Sequence, residues 1–255
     1  MIERWNITIP ALTGKRERKA YVYLPVGYGE DDRRYPVMYM FDGHNLFSDE
    51  EATYGKSWGL ADYLDYTDTQ VIIAAVECDT VGHGRLSEYT PVSFTFKDGT
   101  QIKAKGKKYM DWLVKEFKPY IDENYLTLPD RENTAIGGSS MGGLMTLYAL
   151  AKYNKYFSKG AALSPSLWVN GGSTVEEFLA TSKFRKGTTV YMDYGSREFA
   201  NHAAQKKAFG ETASTLVQMG AILTARVVDG GTHCEASWQE QIPVFMSALG
   251  FYPQN

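Results

Sequence analysis

Residues 133–150 read NTAIGGSSMGGLMTLYAL: a short β-prone run, a glycine-rich turn around Ser140, and an apolar run of helical length. Within it, Gly138, Ser140 and Gly142 make a G-x-S-x-G pattern, with Gly137 and Gly143 on either side. That spacing suits a sharp strand-to-helix turn that holds a serine in a strained backbone conformation and lifts its hydroxyl above a sheet. Side chains at positions 138 and 142 would collide with the neighbouring strand and helix. The helix starting near Met141 would aim its N-terminal dipole and free N–H groups at negative charge forming on a substrate. Ser139 reads as a packing residue.

Outward from this turn, β-rich runs alternate with helical patterns. The runs 35–41, 71–78, 133–138, 160–165, 188–194 and 222–228 read as buried strands of a mostly parallel sheet. Residues 5–9 and 19–24 alternate about a charged turn and predict an antiparallel hairpin at one sheet edge. The expected fold is therefore α/β, with a mostly parallel central sheet of about eight strands and helices on both faces. Residues 107–124 place Met110, Leu113, Val114, Phe117 and Ile121 on one helical stripe that accepts Pro119 only with a kink. Residues 141–153, 203–218 and 235–248 are the other long helices. The segment 77–106 is polar and about thirty residues long, beyond the usual connection length. It is expected to be a lid or substrate loop within one domain spanning residues 1–255.

The chain has 255 residues, 44% hydrophobic and 22% charged, enough for a full core. A net charge of −3 offers no field for phosphate backbones or anionic lipid, so neither nucleic acid nor a membrane surface is expected as a partner. The N-terminal MIERWNITIP lacks the basic start and apolar run of a secretory leader, and no stretch approaches about 20 apolar residues. A cytoplasmic location follows as an expectation. Two cysteines, Cys78 and Cys234, make no disulfide framework.

A serine hydroxyl becomes a nucleophile when a base removes its proton. Of His44, His83, His202 and His233, the last is best placed, in the loop VVDGGTHCEASW after the final strand; His202, opening a polar helix, reads as solvated. The carboxylate that orients the base is sought after the run 188–194, where Glu198 and Asp193 compete. A residue a few positions past the strand end reaches the imidazole more easily, which favours Glu198. Two N–H groups must then meet the developing oxyanion. Met141 supplies one, and the turn FDGHNLF supplies the other from His44 or Asn45. Cys234, beside the base, reads as a small packing residue. Of the chain's aromatic residues, which make up 14% of it, Phe47, Trp58, Tyr89, Trp168 and Phe199 fall in the expected site loops and, with Asn45, are candidates for substrate contact.

The motifs FDGHNLF (41–47), RLSEYTP (85–91), GGSSMGGLMTLYAL (137–150), ALSPSLWVN (162–170) and GGTHCEASW (230–238) resemble, in order, those of the esterase family that contains esterase D, enterochelin esterases and feruloyl esterases. The resemblance covers nearly the whole chain. It implies an α/β-hydrolase fold, ester hydrolysis with no metal or cofactor, a triad of Ser140, Glu198 and His233, and an oxyanion hole at Met141 and His44. The branch it most resembles commonly reads DGQNLF and carries leucine after the nucleophile, where this chain has His44 and Met141. Both contacts use backbone, so these departures bear on the fit of the pocket and leave the mechanism intact. The expected substrate is a small-molecule or oligosaccharide ester, first an acyl or feruloyl ester of a carbohydrate. A catecholate siderophore trilactone is the alternative, for which Arg85 and Arg197 are the only nearby basic residues. Acyl transfer to a sugar hydroxyl would use the same triad, and an inactive hydrolase-fold binding module is the reading outside enzymology.

Overall fold

Strict alternation along the central strands sorts side chains to two faces. Val37, Tyr39, Ile72, Ala74 and Val76 belong to one buried cluster, and Met38, Met40, Ile73 and Ala75 to the other. The computed structural model describes residues 1–198 and 202–254. Its sheet is built from β1 (Ile2–Thr8), β2 (Glu17–Tyr23), β3 (Val37–Met40), β4 (Ile72–Val76), β7 (Thr134–Ser139), β8 (Lys159–Leu163), β9 (Thr189–Gly195) and β10 (Ile222–Val228), while β5 (Phe94–Thr95) and β6 (Gln101–Ile102) pair separately. The spatial order is β1-β2-β4-β3-β7-β8-β9-β10. β2 is antiparallel to both of its neighbours, and every pair from β4 to β10 is parallel. This is the expected eight-stranded α/β sheet with its edge hairpin.

The first cluster is covered by helices over residues 106–124, 141–152, 173–180 and 202–218, the second by those over 60–66 and 242–248. Each fully buried Val, Leu or Ile contributes roughly 1.5–3 kcal/mol relative to its exposed state.

Three local expectations are corrected. Residues 106–124 meet Pro119 with a π-helical turn, Leu113–Phe117, between helices Gly106–Trp112 and Lys118–Asn124; the wider turn removes the clash between the proline ring and the carbonyl four residues back. Residues 235–248 divide into Glu235–Gln239 and Ile242–Ala248, because Pro243 is at home in a first turn and not in a helix interior. β10 is an exposed edge rather than a buried strand: Ile222 and Val227 are exposed.

The long segment after β4 is ordered. It holds a short helix, Gly84–Glu88, and the β5–β6 hairpin. Two ion pairs fasten that helix to the sheet. Arg18 on β2 grips Glu88 with both terminal nitrogens at 2.9 and 2.7 Å, both side chains being buried. Arg85 grips Asp42, just past β3, at 2.7 Å on each oxygen. Burial would raise the Asp42 carboxyl, but the Arg85 guanidinium outweighs it and holds it below the ordinary carboxylate value. Among the described residues, no helix is long and apolar enough to cross a membrane.

Candidate active site

The parallel strands deliver their following loops to one end of the sheet, the carboxyl end where open α/β sheets keep their sites. β7 ends at Ser139, and Ser140 turns the chain at φ 58°, ψ −118°, a conformation costly to any residue with a side chain. A Cβ on Gly138 or on Gly142 would come within 3.0 Å of the Phe41 Cβ, so the turn closes against the neighbouring strand only without side chains there. The Ser140 N–H is held by the Leu163 carbonyl at 3.0 Å, and its own carbonyl accepts the Ser166 N–H at 3.0 Å.

The His233 Nε2 lies 2.9 Å from the Ser140 Oγ, and its Nδ1 lies 2.9 Å from the Glu198 Oε2. A neutral imidazole protonated on Nδ1 satisfies both contacts, donating to the carboxylate and accepting from the hydroxyl. Such a line lets the ring take the serine proton while the carboxylate fixes the tautomer. The Glu198 side chain is only 1% exposed, against 29% for His233. Its other oxygen accepts the Ser164 hydroxyl and the Gly195 N–H. Ser164 in turn accepts the Trp238 indole N–H at 2.9 Å, and the Trp238 ring stands edge-on to His233 at 5.1 Å. A Cβ on Gly195 would lie 2.3 Å from the Gly231 carbonyl oxygen. Only glycine lets the loop carrying His233 press against the loop carrying Glu198.

Asp193, the competing carboxylate, faces elsewhere. It accepts the Tyr191 hydroxyl at 2.6 Å and the Ser164 N–H at 3.1 Å, bracing the strand ends. Burial pushes its carboxyl up to about 6, from 3.8. Unfolding returns it to the ordinary value, so between about pH 4 and 6 the folded chain holds the extra proton and stability falls as pH rises through that window. A difference of this size is worth about 3 kcal/mol. In urea unfolding, Asp193→Asn is therefore expected to gain on the parent by about 2–3 kcal/mol more at pH 7.5 than at pH 4; a gap independent of pH would show that Asp193 titrates normally.

Asp42 turns the chain after β3 in the left-handed region, φ 56°, and Gly43–Asn45 follow as one 3-10 turn. The Asn45 N–H is engaged with the Asp42 carbonyl at 2.8 Å, and Met141 is the first residue of its helix, where an N–H has no intrahelical acceptor. The His44 imidazole is anchored through Nε2 to the Thr53 hydroxyl at 2.9 Å. A cavity of about 270 Å3 brings together His44, Asn45, Ser140 and His233 with Thr53, Tyr54, Arg85, Glu235 and Trp238.

The aromatic candidates fare differently. Trp58 is buried against Trp238 and Phe245, Tyr89 is buried against Phe41 and Tyr109, and Phe47 packs on Tyr21 and Tyr23. None of the three lines the cavity, because each apolar ring completes a core cluster. The Tyr89 hydroxyl accepts the Asp42 N–H at 3.1 Å, so it braces the turn that carries His44. Trp168 is 41% exposed and lines a neighbouring groove. Phe199 and the side chain of His202 lie outside the described residues. Sequence reading missed Glu235, raised by burial, and Trp238, although both sit in the quoted motif GGTHCEASW.

Among the described residues, Asp42, His44 and Cys78 are the one group of three whose ligand atoms lie within 4.8 Å of one another. They make a poor metal site. Both Asp42 oxygens are taken by Arg85, whose charge repels a cation, and burial pushes the Cys78 thiol far above its usual range, away from the thiolate a metal needs.

The family model described as "Putative esterase" matches residues 11–249. The chain belongs to this esterase family. The esterase is 27% identical over 184 residues to YbbA of Bacillus subtilis, covering 71% of this chain and 69% of that one. It is 25% identical over 246 residues to the endo-1,4-beta-xylanase/feruloyl esterase of Xylanibacter ruminicola, covering 93% of this chain but only 30% of that longer protein. An IroE-like serine hydrolase from Shewanella oneidensis shares the esterase's fold, with a TM-score of 0.74 at 23% identity over 93% of this chain and 76% of the other.

Proposed function

We propose that the esterase cleaves acyl or feruloyl esters of carbohydrates through an acyl-enzyme on Ser140. The observation that carries the chemistry is the unbroken line Ser140–His233–Glu198, with 2.9 Å at each step. His233 takes the Ser140 proton as the oxygen attacks the ester carbonyl, and the Met141 and His44 amides receive the developing oxyanion. His233 then protonates the leaving alcohol, and the same ring activates the water that releases the acid. Glu198 holds the imidazole in the useful tautomer and stabilises the imidazolium. The carbohydrate reading draws support from the similarity to a protein named as a xylanase and feruloyl esterase.

The siderophore reading fits less well. A catecholate complex calls for free cations, yet Arg85, the one that lines the cavity, is already paired through Nε and Nη2 to Asp42. The unbridged Cys78 and Cys234 support a reducing compartment such as the cytoplasm.

Hydrolysis of p-nitrophenyl acetate, methyl ferulate, acetylated xylo-oligosaccharide and a catecholate trilactone tests the assignment. The feruloyl or the acetylated sugar ester is expected to give the highest kcat/KM. Preference for the trilactone would move the protein to siderophore release.

A further inference from the structure

Beside the cavity over Ser140 lies a larger groove of about 960 Å3, lined by the rings of Phe94, Phe96 and Trp168 and by the polar side chains of His83, Lys97 and Asp98. The three rings support one another: Trp168 meets Phe94 edge-on at 5.8 Å and Phe96 at 5.9 Å. With two rings packed on it, Trp168 as a residue is still 41% exposed. An indole packed against neighbouring rings yet partly open to solvent is a platform for something flat.

Two segments of chain connect this groove to the nucleophile. The Ser166 Oγ is 3.4 Å from the Ser140 Oγ, and Trp168 follows two residues later, its Cα no more than roughly 7 Å along the chain from that of Ser166. On the other side, His83 lines the groove while Arg85, in the same short helix region, lines the cavity. Stretches 83–85 and 166–168 thus each run from the groove, at His83 and Trp168, toward Ser140, at Arg85 and Ser166.

We propose that this groove binds the glycosyl part of the ester, with a neutral sugar ring stacked on Trp168. The reading rests on Ser140 acting as an esterase nucleophile. A pyranose presents C–H faces to an aromatic ring and hydroxyls around its edge, matching an aromatic lining interrupted by hydrogen-bonding side chains. The charges of Lys97 and Asp98 offset each other, so the lining offers no net field for an anionic ligand. The β5–β6 hairpin, which carries Phe94 on its first strand and Phe96 in its turn, supplies specificity without touching the reacting atoms.

The test compares kcat/KM for acetylated xylotriose with that for p-nitrophenyl acetate, which has no sugar. In Trp168→Ala the ratio of the two is expected to fall at least tenfold, mainly through KM on the sugar ester. A ratio that stays constant, or a parent protein that does not turn over the acetylated sugar, overturns the assignment. Ser140→Ala separates the two levels: p-nitrophenyl acetate turnover surviving in that variant sinks the nucleophile reading instead. Xylotriose added to the Ser140→Ala protein reads the groove without turnover. A saturable change in tryptophan fluorescence that is lost when Trp168→Ala is added supports the proposal, and no change opposes it.

Discussion

Ser140→Ala lowers kcat on every ester the protein hydrolyses by on the order of 10⁶-fold, and His233→Ala does nearly the same. The two losses do not multiply in the double variant, because the hydroxyl and the imidazole act as one unit across a 2.9 Å contact. Residual activity above the uncatalysed rate is expected to persist, carried by the amides of Met141 and His44 proposed for the oxyanion. Folding is spared: Ser140 lies at the edge of the cavity, and alanine adds nothing to the strain already present at φ 58°. Steady-state turnover and labelling by a fluorophosphonate read the result. A folded parent that takes no label and turns over no ester would make the assembly a binding module with a hydrolase's architecture, whereas a Ser140→Ala variant that retains turnover would take the nucleophile's role away from Ser140.

Glu198→Gln lowers kcat by on the order of 10⁴-fold, with little change in KM. The amide can occupy the same place, but where its NH2 faces the ring it donates to Nδ1 and stabilises the tautomer with its proton on Nε2, which cannot accept from Ser140. Asp193→Asn falls far short of that, because Asp193 contacts Tyr191 and the Ser164 amide and never the imidazole. Turnover of p-nitrophenyl acetate by both variants decides it: a greater loss in Asp193→Asn would hand the orienting role to that residue. Ser164 belongs to the same assembly, since its hydroxyl donates to Glu198 while accepting from Trp238.

The parts of this site legible in the sequence are those whose chemistry constrains short spacings. A strand-to-helix turn that must expose one hydroxyl demands glycine at fixed offsets, so Gly138, Ser140 and Gly142 announce it. Chain order past successive parallel strands then narrows the base to His233 and the acid to two residues. What stayed hidden depends on contacts between distant segments. Nothing local to Trp58 or Tyr89 distinguishes an aromatic that lines a cavity from one that fills the core a residue away; only packing decides. The Gly195–Gly231 approach and the Arg18–Glu88 pair join residues 36 and 70 positions apart. The π-helical turn before Pro119 escaped for another reason, since an apolar stripe reports which face is buried and not how the backbone absorbs a missing N–H.

The wall of the pocket carries a constraint on its own divergence. Glu88 and Arg18 are buried together, so losing either partner alone strands a charge in the core at a cost of about 3–5 kcal/mol, comparable to much of a domain's net stability. Exchanging both for apolar residues of similar volume is far cheaper. The double exchange is therefore expected to restore most of the stability that either single exchange removes, and the segment carrying Arg85 and His83 keeps its place beside the site only while that lock is satisfied on both sides.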